Sequence, residues 1–329
     1  MLYALHFSTC FNFLRIEKMN VQDRYRKFGD WLTDWAGEKV QKISVNAGFT
    51  CPNRDGRVGT GGCTYCNNQT FNPAYCATER TITEQLEEGK AFFGRKYPQM
   101  RYLAYFQAYT NTYGDTASLM AKYEEALRVD GVVGLVIGTR PDCMPDGLLD
   151  ELADLNRRCL LLVEYGIEST DDGILRSVNR GHDFACVRDA VERTAGRGIA
   201  VGGHIILGLP GSDRPDYVET EARRLSALPL TTLKIHQLQL IRHTRMTEEY
   251  RQHPERFRLY GVDEYIDLVI DFLEYSRESL VFERFVSQSP PELLAVPGWG
   301  LKNHEFTAKL QKRMAERDAC QGGRLQIEL

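Results

Sequence analysis

Three cysteines crowd into one glycine-rich stretch, CPNRDGRVGTGGCTYCN, residues 51–67. Cys51, Cys63 and Cys66 follow the spacing C-x11-C-x2-C, among Gly56, Gly59, Gly61 and Gly62. Thiolates ligate zinc and iron–sulfur clusters, and glycines let the backbone approach a bulky group or take positive φ. Three readings compete. A structural zinc ion asks for four ligands, usually paired C-x2-C or C-x2-C with histidines. One such pair is present, with Cys76 as a nearby fourth thiol but no second pair. Unconnected buried cysteines are common in cores, yet a polar glycine loop is a poor place for three of them. An iron–sulfur cluster on three thiolates leaves one iron open, which makes chemical sense when the exchangeable ligand is a reactant. The third reading is favoured.

Such a loop needs a scaffold, and short apolar runs supply one. KISVN (42–46), RYLAYFQ (101–107), VVGLVIG (132–138), CLLLVEYG (159–166), IAVGGHIILG (199–208) and TLKIHQLQ (232–239) read as strands. Helix-patterned stretches such as TITEQLEEGKAFFGRKY, TASLMAKYEEALRV and PDGLLDELADLNRR lie between them. After the first strand the starts recur at roughly 30-residue intervals, the length of a βα repeat. The pattern predicts an α/β fold, a partial (β/α)6 parallel barrel rather than a closed eight-stranded one. Residues 1–41 form an N-terminal extension and an amphipathic helix from Met19 carrying Val21, Tyr25, Phe28, Leu32 and Trp35. Residues 42–240 form the core domain and 241–329 a helical and mixed C-terminal extension, interrupted by the proline- and glycine-bearing VFERFVSQSPPELLAVPGWG (281–300). Chemistry-bearing turns follow the strands: TRPD, ES and GLPG. In parallel α/β folds the C-terminal ends of the strands carry the site.

Composition bounds the setting. At 329 residues, 43% hydrophobic and 26% charged, the chain can bury a large core. A net charge of −4 argues against a broadly basic nucleic-acid coat but leaves room for a local basic patch. Nine cysteines, an odd number, fit a reduced, cytoplasmic protein better than a disulfide framework. No apolar run approaches the ~20 residues that span a bilayer, so no membrane partner is expected. The first 18 residues lack a basic leader and a small-residue cleavage site. They read as a weak extension, or as an upstream start before Met19.

The cysteine loop, with CPNRDG and GGCTYCNN, resembles the cluster loop of the radical S-adenosylmethionine superfamily. Its long first interval is similar to the YhcC-like bacterial family and to the related catalytic subunit of Elongator. The superfamily's commonest loop has three residues in that interval. The resemblance runs from about Lys42 to Leu310 and implies a 4Fe–4S cluster on Cys51, Cys63 and Cys66. It also implies S-adenosylmethionine on the open iron, cleaved by one electron to methionine and a 5′-deoxyadenosyl radical.

Further residues are carried over one by one. The resemblance sets the backbone of Tyr65 against adenine. In FQAYTNTYGD (106–115), Gln107 and Asn111 stand where relatives carry a Gly-Gly-Glu-type turn for the methionine amino group, although that glycine pair and acid are absent here. Glu164 and Glu168, four apart at a strand end, would share a face and suit ribose hydroxyls or an ammonium group. A solvated acid pair is the other reading. Arg180 stands where relatives set an arginine against the methionine carboxylate. His204 matches the Elongator-like pattern, and a satisfied core histidine is equally consistent with it. Lys234 and His236 either line the barrel interior or sit at its rim. Lys302, Lys309, Lys312, Arg313 and Arg317 give the final segment a basic bias, compatible with RNA contact or with a solvated helix face. Relatives are associated with wobble-uridine modification, so the resemblance implies tRNA as substrate and an electron donor as partner. A small metabolite as substrate, or a zinc-stabilised nucleic-acid-binding protein, are the alternatives.

Overall fold

The computed structural model describes residues 23–325, apart from 68–69, 71–72, 74 and 96–98. Seven strands lie side by side in chain order, all parallel: β1 (Val40–Val45), β2 (Arg101–Phe106), β3 (Val132–Thr139), β4 (Leu160–Glu168), β5 (Ala200–Leu207), β6 (Thr232–Gln237) and β7 (Val281–Arg284). In a flat sheet β1 and β7 would stand roughly 29 Å apart, six spacings of ~4.8 Å. Yet Lys42 Nζ on β1 lies 2.7 Å from Glu283 Oε2 on β7. The sheet is therefore curled into a partial barrel.

Period-two alternation divides each strand between two faces. Ile43, Val45, Ala104, Phe106, Leu135, Ile137, Leu161, Val163, Val201, Ile205, Leu233 and Ile235 face outward into the main core. That core is completed by α2 (Ile82–Gly94), α3 (Thr116–Leu127), α4 (Asp146–Asn156), α6 (Phe184–Gly196), α7 (Tyr217–Ser226), α9 (Val262–Glu274) and α10 (Asn303–Glu316). Local signals start these helices where the sequence places them. Thr81 and Glu84 form a capping box on α2, and Asp115 and Asp183 cap α3 and α6. The inward residues near the strand starts, Val40, Leu103, Val136, Leu162, Ala200 and Val281, make a second apolar cluster. Phe28 and Leu32 of α1 (Phe28–Ala36) pack into it and plug that end of the barrel.

All six expected strands are present, and β7 is a seventh. It comes from the stretch read as an interruption: four residues are too short to announce themselves, and only pairing with the edge of β6 makes them a strand. The first helix begins at Phe28, because Lys27 is extended and bridges Phe282 beside β7. Val21, within the predicted helix, lies outside the described residues, as does the 1–18 extension. Two short helices, α5 (Asp172–Ser177) and α8 (Arg245–Gln252), sit at the end of the barrel opposite α1. Among the described residues no helix is long and apolar enough to cross a membrane.

Candidate active site

Above the apolar plug, the inward positions of the barrel change character. One step up lie Lys42, Tyr105, Glu164, His204, Lys234 and Glu283; another step up, a cleft of about 1280 Å³, open mouth included, occupies the strands' C-terminal end. Its lining brings together Cys51, Cys63, Tyr65, Cys66, Gln107, Glu164, Glu168, Arg180 and His204.

The cysteine loop follows β1 and is laced to the turn after α5 and to the start of α8. Asn53 Nδ2 donates to Asn179 O at 2.6 Å, Asn179 Nδ2 to Gly62 O at 2.8 Å, and Thr64 N to Val178 O at 3.0 Å. Arg245 Nη2 also donates to Gly62 O at 2.6 Å, and Met246 N to Thr64 O at 2.9 Å. Gly61 and Gly62 take φ of 77° and 74°, a left-handed pair that side chains would strain. This bend delivers Cys63 and Cys66 to the same cleft as Cys51.

Cations surround the thiols. Arg180 Nη1 lies 3.5 Å from Cys63 Sγ, and Arg54 Nη2 donates to Cys66 O at 3.0 Å. Arg140 is buried, bidentate on Asp142 at 2.9 and 2.8 Å. Burial pushes the Cys66 thiol up while Arg54 pulls it down, so thiolate there depends on added positive charge. Arg180 Nε and Arg140 Nη1 are both buried without a hydrogen-bond partner. Buried guanidinium N–H groups are rarely left unpaired, and an anionic cluster with an amino-acid carboxylate is the kind of group they suit. Among the described residues no three of His, Cys, Asp and Glu converge to chelate one ion. Cys76 is buried with its thiol 3.1 Å from Ser44 O, and burial pushes it up to about 12, which keeps it protonated.

Glu168 ends β4 with φ of 70°, beyond an irregularity at Gly166, and its Oε1 lies 3.4 Å from Arg180 Nη2. A Cβ on Gly166 would stand 2.6 Å from Arg180 Nη2 and 2.7 Å from Glu168 Oε1, so a side chain there would push those two groups aside. Glu164 lies deeper. Its carboxylate meets Lys42 at 2.9 Å, Lys234 at 2.7 Å and His204 Nε2 at 2.9 Å. Burial opposes its charge, but the Lys234 and Lys42 ammoniums, with His204, hold it well below the usual carboxylate range. Glu164 is thus engaged by the protein's own groups, while Glu168 stands nearer the thiols. Gln107 lines the cleft and accepts from Ser44 Oγ at 3.2 Å. Asn111 stands behind the wall, Nδ2 donating to Gly138 O at 2.7 Å and its backbone carbonyl accepting from the Tyr123 hydroxyl, while its Oδ1 is buried without a partner. Lys234 and His236 point inward, because β6 keeps its alternation up to Gln237. Arg313 and Arg317 pair with Asp267 and Asp271, fastening α10 to α9.

Sequence reasoning missed Arg140, Tyr105, Glu283 and Arg245. The TRPD turn was a usable signal for Arg140. Nothing local marks Tyr105 or Glu283, whose partners lie on strands far away in the chain.

The Radical SAM superfamily model matches residues 51–223, and the Radical_SAM C-terminal domain model residues 230–316. The chain is 37% identical to uncharacterized protein YtqA of Bacillus subtilis over 304 residues, 92% of this chain and 93% of that one. It is 34% identical to protein YhcC of Escherichia coli over 284 residues, 85% and 89%. A partial likeness, 30% over 143 residues, links it to Elongator complex protein 3 of Schizosaccharomyces pombe, covering 43% of this chain and 25% of that one. Among solved structures, archaeal Methanocaldococcus infernus Elp3 superposes with a TM-score of 0.63 at 16% identity, over 86% of this chain and 64% of that one. The fold, the three-thiol loop and these relationships agree: the chain belongs to the radical SAM superfamily, enzymes that use a 4Fe–4S cluster and S-adenosylmethionine.

Proposed function

We propose that this radical SAM enzyme modifies tRNA, at a wobble uridine, with Cys51, Cys63 and Cys66 holding the cluster. When bound, the cluster gives one electron to S-adenosylmethionine, the source of a radical that takes a hydrogen atom from substrate. Arg180 and Glu168 suit the amino-acid end of S-adenosylmethionine, a guanidinium for its carboxylate and a carboxylate for its ammonium. Gln107 would complete that subsite, and the Tyr65 backbone would meet the adenine. An electron donor is required as a partner.

The observation that carries the nucleic-acid reading is the charge at the mouth. On a chain of net charge −4, Arg54, Arg242 and Arg245 gather where the cysteine loop meets the start of α8 and the turn before it. Arg242 and Arg245 are exposed there, as phosphate contacts must be. The partial similarity to Elongator complex protein 3 supports the same reading. A target base would have to leave its stack to enter so deep a cleft. Mass spectrometry of tRNA nucleosides from cells with and without the protein tests the proposal. A nucleoside that disappears in its absence is expected. An unchanged nucleoside profile beside an altered small-metabolite profile would replace tRNA with a metabolite.

A further inference from the structure

The floor of the cleft carries two imidazoles. The rings of His204 and His236 lie 5.6 Å apart at 30°, and both line the cleft. Charged and titratable groups from five strands surround them: Lys42 on β1, Tyr105 on β2, Glu164 and Glu168 on β4, Lys234 on β6, and Glu283 and Arg284 on β7. The Glu164 carboxylate, shared by two ammoniums, is ionised at neutral pH and can only accept. Its 2.9 Å contact with His204 Nε2 therefore fixes the ring proton on Nε2. Burial, then Lys234, keep the ring itself neutral at pH 7. Nδ1 is left with a free lone pair. Among the described residues it has no hydrogen-bond partner, and the ring lines the cleft. A carboxylate that sets the tautomer and an imidazole that presents the other nitrogen are the parts of an oriented base. The neighbouring His236 is held by its Nδ1 on the Ser287 hydroxyl, and its Nε2 is buried without a partner.

We propose that His204 is a catalytic base facing the substrate, its Nδ1 taking a proton from an N–H that lies beside a carbonyl, as on a uracil-type imide edge. The substrate N–H bond breaks heterolytically and its electron pair stays on the substrate nitrogen. The new bond is Nδ1–H, and Glu164 balances the imidazolium until the proton leaves by the open cleft. The proposal deepens the tRNA reading and rests on it, because uridine presents such an edge.

The test uses the full chain reconstituted anaerobically with iron and sulfide, S-adenosylmethionine, dithionite as the electron source, bulk tRNA from cells lacking the protein, and two products measured together. These are 5′-deoxyadenosine and the modified nucleoside. His204→Gln keeps a donor for Glu164 and removes the base. It should lower the nucleoside formed per 5′-deoxyadenosine at least tenfold, and the conversion profile should lose its fall on the acid side of the histidine range. Cluster absorbance and thermal unfolding, compared with the wild type, separate this from misfolding. A ratio equal to the wild type's, with both products falling together, would overturn the assignment and return His204 to the cofactor or to structure. Where the wild type leaves tRNA untouched but converts a component of a small-molecule extract, the tRNA reading fails. The same ratio, read on that component, then decides the role of His204.

Discussion

Glu164 gives the sharpest quantitative prediction. It is 1% exposed and touches Lys42, Lys234 and His204 at 2.7–2.9 Å. Glu164→Gln keeps the shape and removes the charge, leaving two buried ammoniums to share Glu283, at 2.7 Å from Lys42 and 3.2 Å from Lys234. Removing one partner of a buried pair costs about 3–5 kcal/mol. Glu283 and the Tyr105 hydroxyl, 3.1 Å from Lys234, remain as partners, so the low end, about 3 kcal/mol, is expected. Lys234→Met should cost a similar amount. The double variant leaves one intact pair, Lys42 with Glu283, so the two costs should fall short of additivity by about 2 kcal/mol. Equilibrium urea unfolding under anaerobic conditions, followed by fluorescence and circular dichroism together, measures all three. Additive costs, or a Glu164→Gln cost under about 1 kcal/mol, would mean that the pair is solvated and the argument for an ionised, orienting carboxylate is wrong. The pH sign follows from the same contacts. The folded pKa of Glu164 lies below its unfolded value of ~4.3. Its stabilisation is therefore fully present above that value and is lost as pH falls through the folded pKa, a loss that Glu164→Gln should not show.

Other outcomes follow from single observations. Cys51→Ala, Cys63→Ala and Cys66→Ala should each abolish most bound iron after reconstitution, whereas Cys76→Ala should bind as much as the wild type, by iron analysis. Burial raises Glu221 to about 7; between the unfolded value of ~4.3 and 7 the native state holds the extra proton, so stability should fall as pH rises, by up to about 4 kcal/mol. Glu221→Gln, whose amide oxygen can still accept from Thr170, should flatten that fall in unfolding measured at pH 5 and pH 8. Gly134→Ala puts a Cβ 2.1 Å from Leu160 O, a backbone atom, and should cost about 1–3 kcal/mol in the same assay. Arg242→Gln should weaken tRNA binding and reduce the slope of log affinity against log salt by about one.

The sequence by itself determined the parts that are local. The cysteine spacing, the glycine pair at 61–62, the six alternating apolar runs and the capping residues each act within a few positions of the chain, so the loop, the strands and their shared rim were legible. What depended on curvature was not. The number of strands was undercounted because Val281–Arg284 becomes a strand only against β6. Gln107 and Asn111 looked equivalent in one polar turn, yet one faces the cleft and the other is buried behind it with its amide nitrogen on Gly138 O. Lys42, Glu164, Lys234 and Glu283 come from four separate strands, and no spacing relates them. They meet because a parallel sheet that curls turns one face of every strand toward a common axis. The chain's local order thus specifies the chemistry of the three thiols. Which charges lie beneath them, and which imidazole nitrogen is left open above Glu164, is decided by the closure of the barrel.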